Sequence, residues 1–270
     1  MFRVFRTAHR NGFAMALALA GGTALGTTVI APAAIAQEQQ VNYSQGFVAV
    51  YQPVAALTQG EAPDYAAARG RLDAVYAAIE TPDDRNAAGN FTLQVGNQLQ
   101  DDSLRRRGIE MMLESGKVAP DRLADFNYYA GQFAYNAEDW AAARTYMQAA
   151  IDAGYNDGDN DPGNDPEYVI LQTFGPEGNP QAGVSYMLGV AEARAAAGQP
   201  IPERWLLRTL QTAYDFDLAQ ESYDVGLLVL ERYPSDTNWA NTLQIYNQLN
   251  DHPPAERVDL YRLMLDAGVE

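Results

Sequence analysis

Beyond residue 40, apolar residues recur at three- and four-residue spacing, and strict alternation is rare. That periodicity predicts an all-helical chain. Turn residues divide it into pairs of helices. A first helix is expected from Gly46 to Leu57, with Pro53 as a kink or early stop. After the turn Gln59–Pro63, Asp64 should cap a helix reaching about Ile79, with Tyr65, Ala68, Leu72 and Val75 on one face. Thr81-Pro82-Asp83-Asp84 reads as the end of that pair. A second pair is expected at 86–99 and 103–115, and a third at 120–135 and 139–153, with Gly116 and Gly154 as stops. Further helices are expected at 181–197, 202–213, 218–232, 236–249 and 254–266, where Pro202 and Pro254 suit first helical positions.

The pairs echo one another. Asp64-Tyr65-Ala66-Ala67-Ala68-Arg69 returns 75 residues later as Asp139-Trp140-Ala141-Ala142-Ala143-Arg144. That is about twice a helix-turn-helix repeat of 34 to 40 residues. Segments ending at Gly116, Gly154 and Gly268 share a pattern of apolar residues, an acid, a small residue and glycine, the first two 38 apart. The echo is read as a packing device: Ala68 and Ala143 let helices meet, while Tyr65 and Trp140 wedge between them.

Residues 155–180 break the rhythm. The run Asn156–Pro166 is too rich in Asp, Asn, Gly and Pro for a helix, and Tyr168–Phe174 fits either a short packed helix or an extended segment. The predicted organisation is therefore a leader (1–36), N-terminal repeats (37–154), an acidic insertion loop (155–180) and C-terminal repeats (181–270). The leader has the form of a cleavable signal peptide. Arg3, Arg6 and Arg10 precede an apolar stretch from Phe13 to Ile30, and Ala34-Ile35-Ala36 places cleavage after Ala36. An uncleaved anchor is the competing reading; three glycines and the polar Gln37–Gln40 count against it. No long apolar run follows, so no integral membrane segment is expected after cleavage.

Composition narrows the function classes. Residues 37–270 hold 15 basic and 35 acidic side chains, a net charge of −20. Such a surface repels nucleic acid and anionic lipid and suits basic or polar partners, although acidity also serves solubility alone. No cysteine is present, so no disulfide supports the fold. His252 stands beside Pro253-Pro254 with no sequence partner for catalysis. Asp157, Asp159, Asp161 and Asp165 alternate like calcium ligands, but Pro162 and Tyr168 stand where an EF-hand needs Gly and Glu. A solvated insertion is the main reading, with calcium binding as the alternative. Asp83-Asp84 and Asp101-Asp102 fall at turns, as caps rather than acid–base pairs, and Arg105-Arg106-Arg107 is read as pairing within the acidic molecule.

In the third pair, Gly131, Trp140, Ala143, Met147 and Ala150 fall at set intervals: a small residue in the first helix, then an aromatic, Ala, a large apolar residue and Ala in the second. This resembles the tetratricopeptide repeat. The first pair matches through Tyr65, Ala68 and Leu72, with Val75 in place of the second small residue. The second pair keeps Gly96 and Leu104 but has Arg105 or Arg107 where Ala is expected. The resemblance implies a right-handed α-solenoid that binds protein or peptide in a groove lined by the first helix of each pair, with no chemistry or cofactor of its own. It places Asp125, Tyr128, Gln132, Tyr135 and Asn136 in that groove, while packing against the next repeat is the alternative role for Tyr128 and Tyr135. The family's carboxylate-gripping mode needs Lys and Arg in the groove, which one lysine (Lys117) does not supply. The expectation is a periplasmic, non-enzymatic binding scaffold of a Gram-negative bacterium. The alternatives are an accessory or substrate-binding subunit of an envelope enzyme and a calcium-dependent structural protein.

Overall fold

The computed structural model describes residues 41–156, 165–249, 254–266 and 268. They belong to one compact unit, Val41–Glu270. The expected leader, most of the acidic run and His252 lie outside the described residues.

Among the described residues the chain is all-helical: α1 (Gln45–Ala55), α2 (Tyr65–Arg69), α3 (Leu72–Ala77), α4 (Pro82–Leu99), α5 (Asp102–Glu114), α6 (Leu123–Asn136), α7 (Trp140–Asp152), α8 (Pro166–Phe174), α9 (Pro180–Ala196), α10 (Glu203–Asp215), α11 (Ala219–Arg232), α12 (Asp236–Gln248) and α13 (Pro254–Asp266). No helix of the described residues is long and apolar enough to cross a membrane.

Several boundaries differ from the sequence expectation. Pro53 does not stop α1, because it and Ala49, whose carbonyl loses its partner, both face solvent. The helix expected from Asp64 to Ile79 breaks in two at Gly70-Arg71, where the chain turns so that Leu72 and Val75 enter the first core cluster. Thr81–Asp84 starts a helix rather than ending a pair. The Thr81 hydroxyl accepts the Asp84 N–H and the Asp84 carboxylate accepts the Thr81 N–H, a capping box that launches α4. Tyr168–Phe174 is helical, within α8, which packs on both α7 and α9.

Among the described residues, the turns inside four consecutive pairs carry a left-handed residue directly before the next helix, Gln100, Glu138, Gly178 and Asp217, spaced 38, 40 and 39 residues apart, and the turn of the first pair carries Gly60. The residue after each of those four is an N-cap, and Asp101, Asp139 and Asn179 accept backbone N–H groups of the following helix. The pairs α4/α5, α6/α7, α8/α9, α10/α11 and α12/α13 follow in series. Each packs on the next, and α6, α8 and α10 also touch in turn.

Close crossings set the fit within pairs. In the third, Gly131 faces the fully buried Met147, and both Ala143 and Ala150 are fully buried. In the second the sizes are exchanged: Leu93 in the first helix faces Gly108 in the second, and a Cβ on Gly108 would stand 2.5 Å from the Leu93 nitrogen and 2.7 Å from the Gly89 carbonyl oxygen. The small residue missing at Arg105 or Arg107 is thus supplied at Gly108.

Pairs are joined by a recurring clasp. Arg69 reaches Asp101 at 2.9 Å, Arg106 reaches Asp139 at 2.6 Å and Arg144 reaches Glu177 at 2.8 Å. Gln181 bonds Glu221 in the same way. In every case the second helix of one pair holds the internal turn of the next, or the first turn of the helix leaving it. The arginine of the repeated Asp-aromatic-Ala-Ala-Ala-Arg segment is a clasp residue at both of its occurrences.

Two predictions follow from this packing. Gly108→Ala should lower stability by about 1–3 kcal/mol, because the obstructing atoms are backbone. Gly189→Ala, with open space around it in α9, should raise stability by up to about 1 kcal/mol. Urea denaturation of the two variants measures both. The second concerns Asp84, fully buried at the start of α4. Burial opposes its ionisation, but the N–H groups of Ser44, Glu80 and Thr81 overcome this and hold its carboxyl below the usual range. A carboxylate whose folded pKa is depressed stabilises the fold above the unfolded value, and that contribution disappears as pH falls through the folded one. The native chain should therefore lose stability below about pH 4, and Asp84→Asn should show a shallower acid dependence in urea titrations at pH 6 and pH 3.

Candidate functional site

The residues expected to line a groove all lie on α6. Tyr128 is 5% exposed, because its ring is stacked at 4.1 Å on that of Tyr155, just beyond α7. Tyr135 is half-buried and meets the Trp140 ring edge-on at 5.2 Å. Burial, and then the neighbouring Tyr168, push its phenol up. Both tyrosines belong to a core cluster with Met147, Val169 and Ile170, so packing is part of their work. Gln132 donates to the Tyr128 hydroxyl at 3.0 Å, bringing those two together. Asp125 is half-exposed one turn earlier. Asn136 is exposed at the end of α6 and lines a shallow depression of about 370 Å³ with Asp102, Ser103, Arg106 and Arg107 of α5.

The arrangement on α6 recurs on α8. There Gln172 donates to the Tyr168 hydroxyl at 2.9 Å, again from one turn further along. The Arg208 guanidinium lies 5.2 Å from the centre of the Tyr168 ring, which ties α10 to this face. On α10, Gln211 donates to Asp215 at 2.7 Å, and Tyr214 donates to Gln248 of α12 at 2.5 Å. Amide, phenol and ring groups therefore line the first helices of successive pairs. Gln132 is where the tetratricopeptide resemblance puts a groove residue, while Gln172 falls in the segment 155–180 that breaks the repeat rhythm.

The strip is held in place by a polar joint between α8 and α10. Asp165, 8% exposed, receives two bonds from the Arg204 guanidinium at 2.7 and 2.9 Å and a third from the Trp205 indole at 2.8 Å. The Arg194 guanidinium lies over the Trp205 ring, 5.2 Å from its centre. Asp165, expected in a solvated insertion with calcium ligation as the alternative, is instead buried and binds Arg204. Nearby, burial and then the charge of Glu167 raise the Tyr186 phenol well above its ordinary value.

Chemically, this strip offers hydrogen-bond donors, acceptors and aromatic faces, the groups of a recognition surface. No group of three or more His, Asp or Glu among the described residues is arranged to hold a metal ion. Neither a protein-family model nor a curated protein sequence matches the chain.

The joint has a measurable role. Arg204→Met leaves Asp165 buried with its charge opposed only by the indole. It should cost about 1–3 kcal/mol, less than for a fully buried pair because Arg204 is about a third exposed. Urea denaturation followed by tryptophan fluorescence reads it.

Proposed function

We propose that this chain is an exported, non-enzymatic scaffold that binds a protein or peptide along the first helices of its repeats. In this reading the helix pairs form a right-handed, tetratricopeptide-like α-solenoid, and the leader ending at Ala36 directs the chain to the bacterial periplasm. The observation that carries it is the recurrence of one helix-pair plan at 38, 40 and 39 residues, marked by the left-handed residues and followed by the clasps. A series of pairs built to one plan presents equivalent positions side by side, which suits extended recognition rather than a single enclosed reaction site. The sequence charge of −20 beyond residue 36 favours a basic or polar partner.

The test is affinity capture from an envelope fraction with the full-length chain expressed in a Gram-negative host and tagged at its C-terminus. Basic or polar envelope proteins should be retained at about 50 mM salt and released by several hundred millimolar, where the Debye length falls to a few ångström. Capture of acidic or strongly apolar proteins only, with no salt dependence, would refute the reading. The same preparation should begin at Gln37 by N-terminal sequencing.

A further inference from the structure

The left-handed turn residues give a common ruler for the first helices. Six residues before Gln100, Glu138, Gly178 and Asp217 stand Gln94, Gln132, Gln172 and Gln211. All four are glutamine, although only 18 of the 270 residues are. The first pair departs, with Val54 six residues before its left-handed Gly60, but at one residue in 15 composition alone does not account for four matches in five turns. Packing does not require them either. Gln94 and Gln211 are exposed, Gln132 and Gln172 half-buried, and apolar core residues occupy other faces of the same helices.

The helices that carry these amides are neighbours in the fold. α6, α8 and α10 pack on one another in turn, and α4 shares a core cluster with α6 through Leu93 and Phe126. Three are also oriented. Gln132 and Gln172 are each held by a tyrosine hydroxyl one turn back, and Gln211 by Asp215 one turn on. Each of those bonds uses one N–H. A carboxamide has two N–H donors and an oxygen with two lone pairs, so each held glutamine still offers a donor and an acceptor.

One N–H and one C=O are what a peptide unit presents. Charged side chains would select by partner sequence, whereas neutral amides select for peptide backbone. Packed helices lie roughly 8–10 Å apart, and an extended chain advances about 3.3 Å per residue. Successive glutamines would then meet about every third residue of an extended segment, and four would span about nine residues.

The geometry points to a main-chain-reading site: Gln94, Gln132, Gln172 and Gln211 bind the backbone of an extended, unfolded peptide segment with little demand on its side chains, the surrounding acidity favouring segments that carry lysine or arginine. This rests on the scaffold reading and deepens it by naming the form of the ligand.

The probe is an array of twelve-residue unstructured peptides, each with at least two lysines. The tightest binder is then measured by fluorescence anisotropy against the full-length chain. Gln132→Ala/Gln172→Ala and, separately, the exposed pair Gln94→Ala/Gln211→Ala should each weaken binding at least about tenfold, as loss of two hydrogen bonds predicts. Thermal unfolding of each variant confirms that it is folded. Gln148→Ala/Gln220→Ala, on exposed faces of α7 and α11, should leave binding unchanged. N-methylation of the peptide at every third residue, in the register that weakens binding most, should weaken it at least as much as either double variant. Replacing any single non-lysine side chain of the peptide by alanine should matter less than threefold. Native-like binding by both double variants, or indifference to N-methylation in all three registers, overturns the inference. So does an array without binders while envelope partners are captured, an outcome that leaves the scaffold reading standing. If neither peptide nor envelope partner binds, both fall.

Discussion

Among the described residues, no helix pair encloses its own core. Each buried cluster draws on consecutive helices and passes the burden on. Phe47, Val54 and Leu72 close with Phe91 and Met111; Ile109 closes with Phe126; Tyr128 and Met147 close with Val169; Leu171 closes with Met187 and Trp205. Burial of apolar area supplies most of the folding free energy, so a pair on its own would leave an apolar face in water. The rest of the structure follows from that dependence, including the turns, the close crossings and the clasps.

Serial packing demands a repeated angle between pairs, and the chain fixes it by small means. A left-handed residue followed by a capping oxygen sets the turn within consecutive pairs. An arginine or glutamine on the second helix then grips the next turn or the helix start beyond it. Such exposed pairs are individually weak, on the order of 1 kcal/mol or less, so their role is geometric before it is energetic. The same acidic turn residues that look like surplus charge in the composition are the anchors of this grip. Arg106 holds the Asp139 carboxyl below its ordinary range, with a backbone N–H of the cap adding to the effect.

Much of the helical plan was legible in the sequence, because it rests on local chemistry. Asp64 caps its helix as its position suggests, Asp139 does the same at the repeat of that segment, and the alanines four residues on, Ala68 and Ala143, are fully buried. The misplaced boundaries were those decided by distant contacts. Pro53 stays helical because of which face meets solvent, and Thr81–Asp84 launches a helix because Asp84 also binds the N–H of Ser44, 40 residues away. The second pair seemed to lack its small residue because Leu93 and Gly108 exchange the sizes of Gly131 and Met147.

The candidate site was legible only on α6. Its tyrosines carry both readings at once: Tyr128 is buried under Tyr155, yet its hydroxyl orients Gln132. Gln94, Gln172 and Gln211 carry no signal in the sequence, because glutamine has no distinctive local signature and the loop lengths between pairs vary, which hides a common register. By itself the sequence determined the helical class, most helix positions and the acidity, since spacing, side-chain hydrogen bonding and charge act over a few residues. Only the tertiary structure decided which first helices lie side by side and which arginine meets which turn. Those relations depend on the signs of a few backbone angles and on helices packing across tens of residues, and neither is written in any short stretch of chain.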